Sequence, residues 1–153
     1  MHRIEGYRAL CADGRTLDER RTLINQGRWK PSTIVRLEWE CNGRLVEISH
    51  IYGLMAQLLP DRTGVAILRA SLRSRFSPAL ELIEPDGETR FTLESPIRID
   101  AHDVVGEFAW FESPQSASAH VVRAVFWSVA GDRYFLLDVD ARTGVITAVM
   151  PLQ

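Results

Sequence analysis

Thr33-Ile34-Val35-Arg36-Leu37-Glu38-Trp39-Glu40-Cys41-Asn42-Gly43-Arg44-Leu45-Val46-Glu47-Ile48 is the stretch whose reading decides the fold class. Val35, Leu37, Trp39 and Cys41 fall on one side of the alternation, and Arg36, Glu38 and Glu40 on the other. A period of two is the mark of a half-buried strand. Asn42-Gly43 then supplies the residue pair best suited to a type I′ turn, because both central positions need positive φ. Closing the chain there sets Trp39 opposite Val46 and Leu37 opposite Ile48 on a single apolar face.

The same pattern recurs along the chain. A second hairpin is expected from Ala79 to Leu93 around Pro85-Asp86-Gly87, with Leu82 facing Phe91 and Leu80 facing Leu93; a slip of one residue would set Phe91 against Glu81. A three-stranded meander is expected in the last third. Gly131-Asp132 would turn it with Phe126 against Leu137 and Ala124 against Val139. Asp140 to Gly144 would turn it again, with Val139 against Ile146 and Leu137 against Ala148. Val65 to Leu68 and Glu107 to Phe111 read as further strands.

Helix signals are fewer. Thr16-Leu17-Asp18-Glu19 fits a capping box, and Gly27 and Pro31 would end that helix. The rival reading makes Asp13-Gly14 a hairpin turn and Leu17 to Ile24 a strand, and the helix is preferred. Ile51, Leu54, Met55 and Leu58 sit at helical spacing before Pro60 and predict a second short helix. The expected fold is therefore mainly β, with antiparallel hairpins and a meander forming a sandwich or partly open barrel, and one or two short helices.

The 153 residues, 46% hydrophobic and 25% charged, suit one domain spanning 1–153. A chain of this size buries about two-thirds of its extended surface, enough for a core without metal or disulfide support. Net charge is -2, but residues 1–75 carry a balance of +5 and residues 76–153 a balance of -7. Lys30 is the one lysine among 18 basic residues, a ratio that reads first as the coding bias of a GC-rich bacterial genome. Cys11 and Cys41 lack CxxC spacing, and no signal peptide or membrane-length apolar run is visible, so a reduced, cytoplasmic protein is expected.

Leu137 to Ile146 contain a D-x-x-T-G turn similar to those that end β-propeller blades. That resemblance covers ten residues once and implies only a tight strand connection. Asp138 and Asp140 do not open an EF-hand loop, because its glycine and final glutamate positions fall on Thr143 and Val149. No metal site or cofactor motif is found.

Asp100-Ala101-His102-Asp103 is the one compact acid–histidine cluster, and in a strand Asp100 and His102 would share a face suited to acid–base chemistry. No nucleophile motif accompanies it, and an enzyme is not the expected reading. Arg69, Arg73 and Arg75 form the densest basic cluster and would suit an acidic protein surface. The net acidic charge argues against nucleic acid. Among the late aromatics, Trp110 is the candidate binding anchor. A non-enzymatic protein-binding module, of the small bacterial inhibitor, immunity or adaptor type, is thus expected by elimination. A small-ligand-binding barrel comes second and a hydrolase third. The expected partner is another protein, with no membrane role and with a homo-oligomer left open.

Overall fold

Asn42 and Gly43 take φ of 52° and 74°, the two adjacent positive values that a type I′ turn requires. They join strand β2 (Ile34–Cys41) to β3 (Arg44–Leu58), with Trp39 opposite Val46 and Leu37 opposite Ile48. The computed structural model describes residues 2–16, 34–71, 76–112 and 118–152. Around this hairpin run β1 (Glu5–Cys11), β4 (Val65–Arg69), β5 (Ala79–Ile83) and β6 (Thr89–Glu94), in the sheet order β1-β2-β3-β4-β5-β6. A second sheet has the order β12-β11-β10-β9, from β9 (Gly106–Glu112), β10 (Val121–Ser128), β11 (Arg133–Asp140) and β12 (Ile146–Leu152). β7 (Ile97–Ile99) and β8 (His102–Val104) pair as a separate small hairpin.

Every pairing is antiparallel, no sheet closes into a barrel, and no helix occurs among the described residues. This corrects the expected mixture of strands with short helices and a partly open barrel. Ile51 to Leu58, expected as a helix, are the second half of β3. Leu54 pairs with Arg69 and Leu58 with Val65, so the local spacing of four apolar residues yields to a ladder with β4. Leu54, Ala56 and Leu58 share one packed face with period two, while Met55 is exposed on the other. Thr16 is bridged to Leu10, and the Gly14 N–H donates to the Cys11 carbonyl at 2.9 Å. The Asp13-Gly14 hairpin turn, the reading not preferred, is what forms there; the rest of that expected helix lies outside the described residues.

The other hairpins refine the expected registers. Leu82 faces Phe91 and Leu80 faces Leu93, with a bulge at Ile83 beside the Pro85-Asp86-Gly87 turn. Between β10 and β11 the chain spends four residues, 129–132, so Phe126 opposes Phe135 and Ala124 opposes Leu137, two places from the expected partners. A two-residue slip leaves every side chain on its expected face. Val139 does oppose Ile146, but a bulge moves Leu137 from Ala148 to Val149.

The six-stranded sheet is strongly curled. The Trp39 indole N–H donates to the Pro85 carbonyl at 2.7 Å, although β3 and β4 lie between β2 and β5 in the sheet. Adjacent strands are about 4.8 Å apart, so a flat sheet could not bring these atoms together. The Ile4 N–H likewise reaches the Arg62 carbonyl beyond β3. Within the curl lies one apolar cluster, including Leu37, Trp39, Val65, Ile67 and Ile83. On the opposite face of β4 and β5, Ala66, Leu68, Leu80 and Leu82 pack against Phe108, Phe126 and Leu137 of the second sheet. β4 is consequently buried on both faces, which is why Val65-Ala66-Ile67-Leu68 is apolar without alternation.

Candidate protein-binding face

The residues singled out by the sequence go to three different places. Arg69, at the end of β4, donates through Nε to Glu81 Oε2 at 2.6 Å, and its backbone N–H donates to Ser77 Oγ at 3.0 Å. Its charge is therefore neutralised within the fold. Arg73 and Arg75 lie outside the described residues. Asp100 and Ala101, with φ of 50° and 63°, are the turn of the β7–β8 hairpin. Asp100 is thus in a turn instead of sharing a strand face with His102, and Asp103 pairs with Arg98 at 3.2 Å. Asp100, His102 and Asp103 are all exposed.

Trp110 belongs to a larger arrangement. Ser77 and Phe108 exchange two backbone hydrogen bonds of 2.8 Å, stitching the approach to β5 onto β9. This stitch places Phe76 on the outer face of the second sheet, with ring centroids 6.4 Å from Trp110, 5.7 Å from Trp127 and 6.4 Å from Tyr134, all edge-on. Ala109, Val125, Leu136 and Leu152 complete the cluster. Edge-on contacts suit the ring quadrupoles and fix the aromatics as a rigid platform. Trp110, Trp127 and Tyr134 remain only half-buried.

Carboxylates hold the two indoles. The Trp110 Nε1–H donates to Glu112 Oε1 at 2.9 Å and the Trp127 Nε1–H to Asp132 Oδ1 at 2.8 Å. Glu107 lies opposite Trp127 on the same face, and Glu112 opposite Arg123. Arg123 is buried and forks onto Asp138 at 2.7 and 2.9 Å. Those hydrogen bonds raise its guanidinium pKa above the ordinary value, against the burial that lowers it.

Ala109 also lines a groove of about 350 Å³ with Tyr52, Gly53, Met55, Leu68 and Ser77. The groove extends the aromatic cluster toward a corner of β3, where register is lost between Arg36–Ser49 and Ile34–Leu54 and Gly53 takes φ of 107°. That corner turns side chains outward: Ile51 is 82% exposed, Met55 47% and Tyr52 46%. Sequence reading missed Phe76, Trp127 and Tyr134 as partners of Trp110. The available signal was the apolar character of both faces of β10, Ala124 and Phe126 on one and Val125 and Trp127 on the other, which calls for a second layer.

A second cleft of about 430 Å³ lies where the two sheets meet, among Asp61, Thr63, Glu84, Arg90, His120 and Arg142. Arg90 among its polar groups ties the two sheets together. Arg90 donates to Glu84, to the Thr63 carbonyl at 2.5 Å and to the Ala141 carbonyl at 2.8 Å. Burial alone would raise the Asp61 carboxyl; the Thr63 hydroxyl and N–H bonds and nearby His120 outweigh it and hold Asp61 below its ordinary pKa. Among the described residues, no group of three or more His, Cys, Asp or Glu is placed to hold a metal ion. No helix among them is long and apolar enough to cross a membrane. Cys11 and Cys41 are both buried and form no disulfide.

No family model and no curated protein matches this chain. Among solved structures, a chain from "Structure of Tne2 in complex with Tni2" is similar, with a TM-score of 0.85 and 24% sequence identity. The match covers 98% of this chain and 99% of that one. It establishes a shared fold over nearly the whole of both chains.

Proposed function

We propose that this chain is a non-enzymatic protein-binding module, of the inhibitor, immunity or adaptor type, working in a bacterial cytoplasm. Its contact surface is the aromatic face of the second sheet with the adjoining groove. The observation that carries this reading is the half-buried cluster of Trp110, Trp127 and Tyr134 around Phe76. Rigid aromatic anchors beside exposed aliphatic side chains are what protein interfaces concentrate at their centres. The similar fold was solved in a complex of two named proteins, and this supports a protein as the partner here.

The test is to capture the tagged chain with its partner from its native cells, then rebuild the pair from two purified proteins. A defined complex by light scattering, weakened at least about tenfold by Trp110→Ala, is the expected result. Failure to recover any protein that re-forms a complex with the purified chain would overturn the reading.

A further inference from the structure

We infer that the aromatic face receives a cationic segment of the partner, one that presents arginine or lysine among apolar side chains; this rests on the protein-binding reading above. Glu107, Glu112 and Asp132 stand on the same face as Trp110 and Trp127. Glu112 and Asp132 are exposed, and each binds its indole through one carboxylate oxygen. The other oxygen of each carboxylate retains acceptor capacity toward a guanidinium or ammonium. Among the described residues of β9–β12, the cation on this face is Arg123, and it is buried against Asp138. Arg133 projects the other way, over Phe135.

The described residues of this face thus set carboxylates around rings whose π-systems themselves attract cations, tryptophan most strongly. An arginine laid on Trp110 or Trp127 would stack on the ring and reach a carboxylate in one pose, a combination lysine meets less fully. The same carboxylates would repel phosphates, so nucleic acid is a poor fit. The balance of -7 over residues 76–153 adds a field that steers a basic partner to this half of the chain.

The probes are a short peptide of alternating arginine and leucine and its counterpart with glutamate for arginine. Binding is read at low salt from the indole N–H signals of the ¹⁵N-labelled full chain. The basic peptide is expected to move the Trp110 and Trp127 signals and leave that of buried Trp39 in place. Glu112→Gln with Asp132→Asn keeps an acceptor for each indole but removes the charge, and should weaken binding roughly tenfold. Added salt should weaken it similarly.

Unmoved Trp110 and Trp127 signals, or an affinity indifferent to the double variant, would overturn the inference. Binding of the acidic peptide alone, abolished by Arg69→Ala, would also overturn it while leaving the protein-binding reading intact. That reading falls only with the failed reconstitution described above.

Discussion

The indole of Trp39 and the carbonyl of Pro85, 46 positions apart in the chain, are joined by a buried 2.7 Å hydrogen bond that draws the β5–β6 turn over β2. The bond lies at the mouth of the curled sheet, where strand pairing is absent and side-chain chemistry takes its place. Gly87 is held against Val46 at the same place, and a Cβ on it would stand 3.0 Å from the valine methyl.

Trp39→Phe keeps an aromatic ring but strands the Pro85 carbonyl, and should cost about 1–3 kcal/mol. Trp39→Ala adds the loss of a fully buried ring and should cost about 3–5 kcal/mol. Urea unfolding of the three proteins checks both values. Equal stability of wild type and the Phe variant would mean the bond contributes nothing.

Arg90 is the corresponding tie between the two sheets. Arg90→Met retains the aliphatic stem but leaves the Thr63 and Ala141 carbonyls without the guanidinium. The expected loss is about 2–4 kcal/mol, assigned mainly to those carbonyls because Glu84 is 38% exposed. Denaturant midpoints measure it, and a loss below about 0.5 kcal/mol would contradict the clasp.

Gly106 lies where β9 presses on β10. A Cβ there would sit 2.0 Å from the Trp127 carbonyl oxygen and 2.8 Å from the Phe126 ring. Gly106→Ala should therefore destabilise by at least about 2 kcal/mol, because backbone must move. Gly131→Ala meets nothing closer than 3.6 Å and should stay within about 0.5 kcal/mol of wild type. Thermal melts of the two variants side by side decide the matter.

Tyr7 stacks on Trp39 at 6.5 Å, and burial pushes its phenol up to about 12. The unfolded phenol titrates near about 10. Between these values the unfolded chain releases a proton that the folded chain keeps, so stability is whole below about pH 10 and falls as pH rises toward about 12. Tyr7→Phe should remove on the order of 2 kcal/mol of this alkaline loss. Urea midpoints at about pH 9 and about pH 11.5 report it, and identical alkaline losses in both proteins would refute the assignment.

Each hairpin that was legible owed it to two local signals that agreed. Asn42-Gly43 demanded positive φ at two adjacent positions, and the alternation beside it demanded that Trp39 face Val46; both are satisfied. The Leu82–Phe91 register followed from the same agreement. Where one signal stood alone, the reading slipped. Gly131-Asp132 suggested a two-residue turn, whereas four residues, 129–132, join the strands, and the pairing moved by two residues. The spacing of Ile51, Leu54, Met55 and Leu58 suggested a helix because a strand turning a corner between two partners also scatters its apolar residues.

The sequence by itself determined the antiparallel hairpins and the apolar face of β2 and of the β5–β6 pair. Alternation and turn chemistry act over a few residues, and no distant group is needed to read them. The tertiary structure alone decided that Arg69 is spent on Glu81, that Asp100 and His102 belong to the tip of a small hairpin, and that Phe76 joins Trp110 to Trp127 and Tyr134. It also decided the curl closed by Trp39 and Pro85. The hairpin tip apart, those relations link residues from 12 positions apart, as in Arg69–Glu81, to 58, as in Phe76–Tyr134, and they exist only once sheets have curled and packed. Long-range packing energy, which local propensity does not contain, selects them.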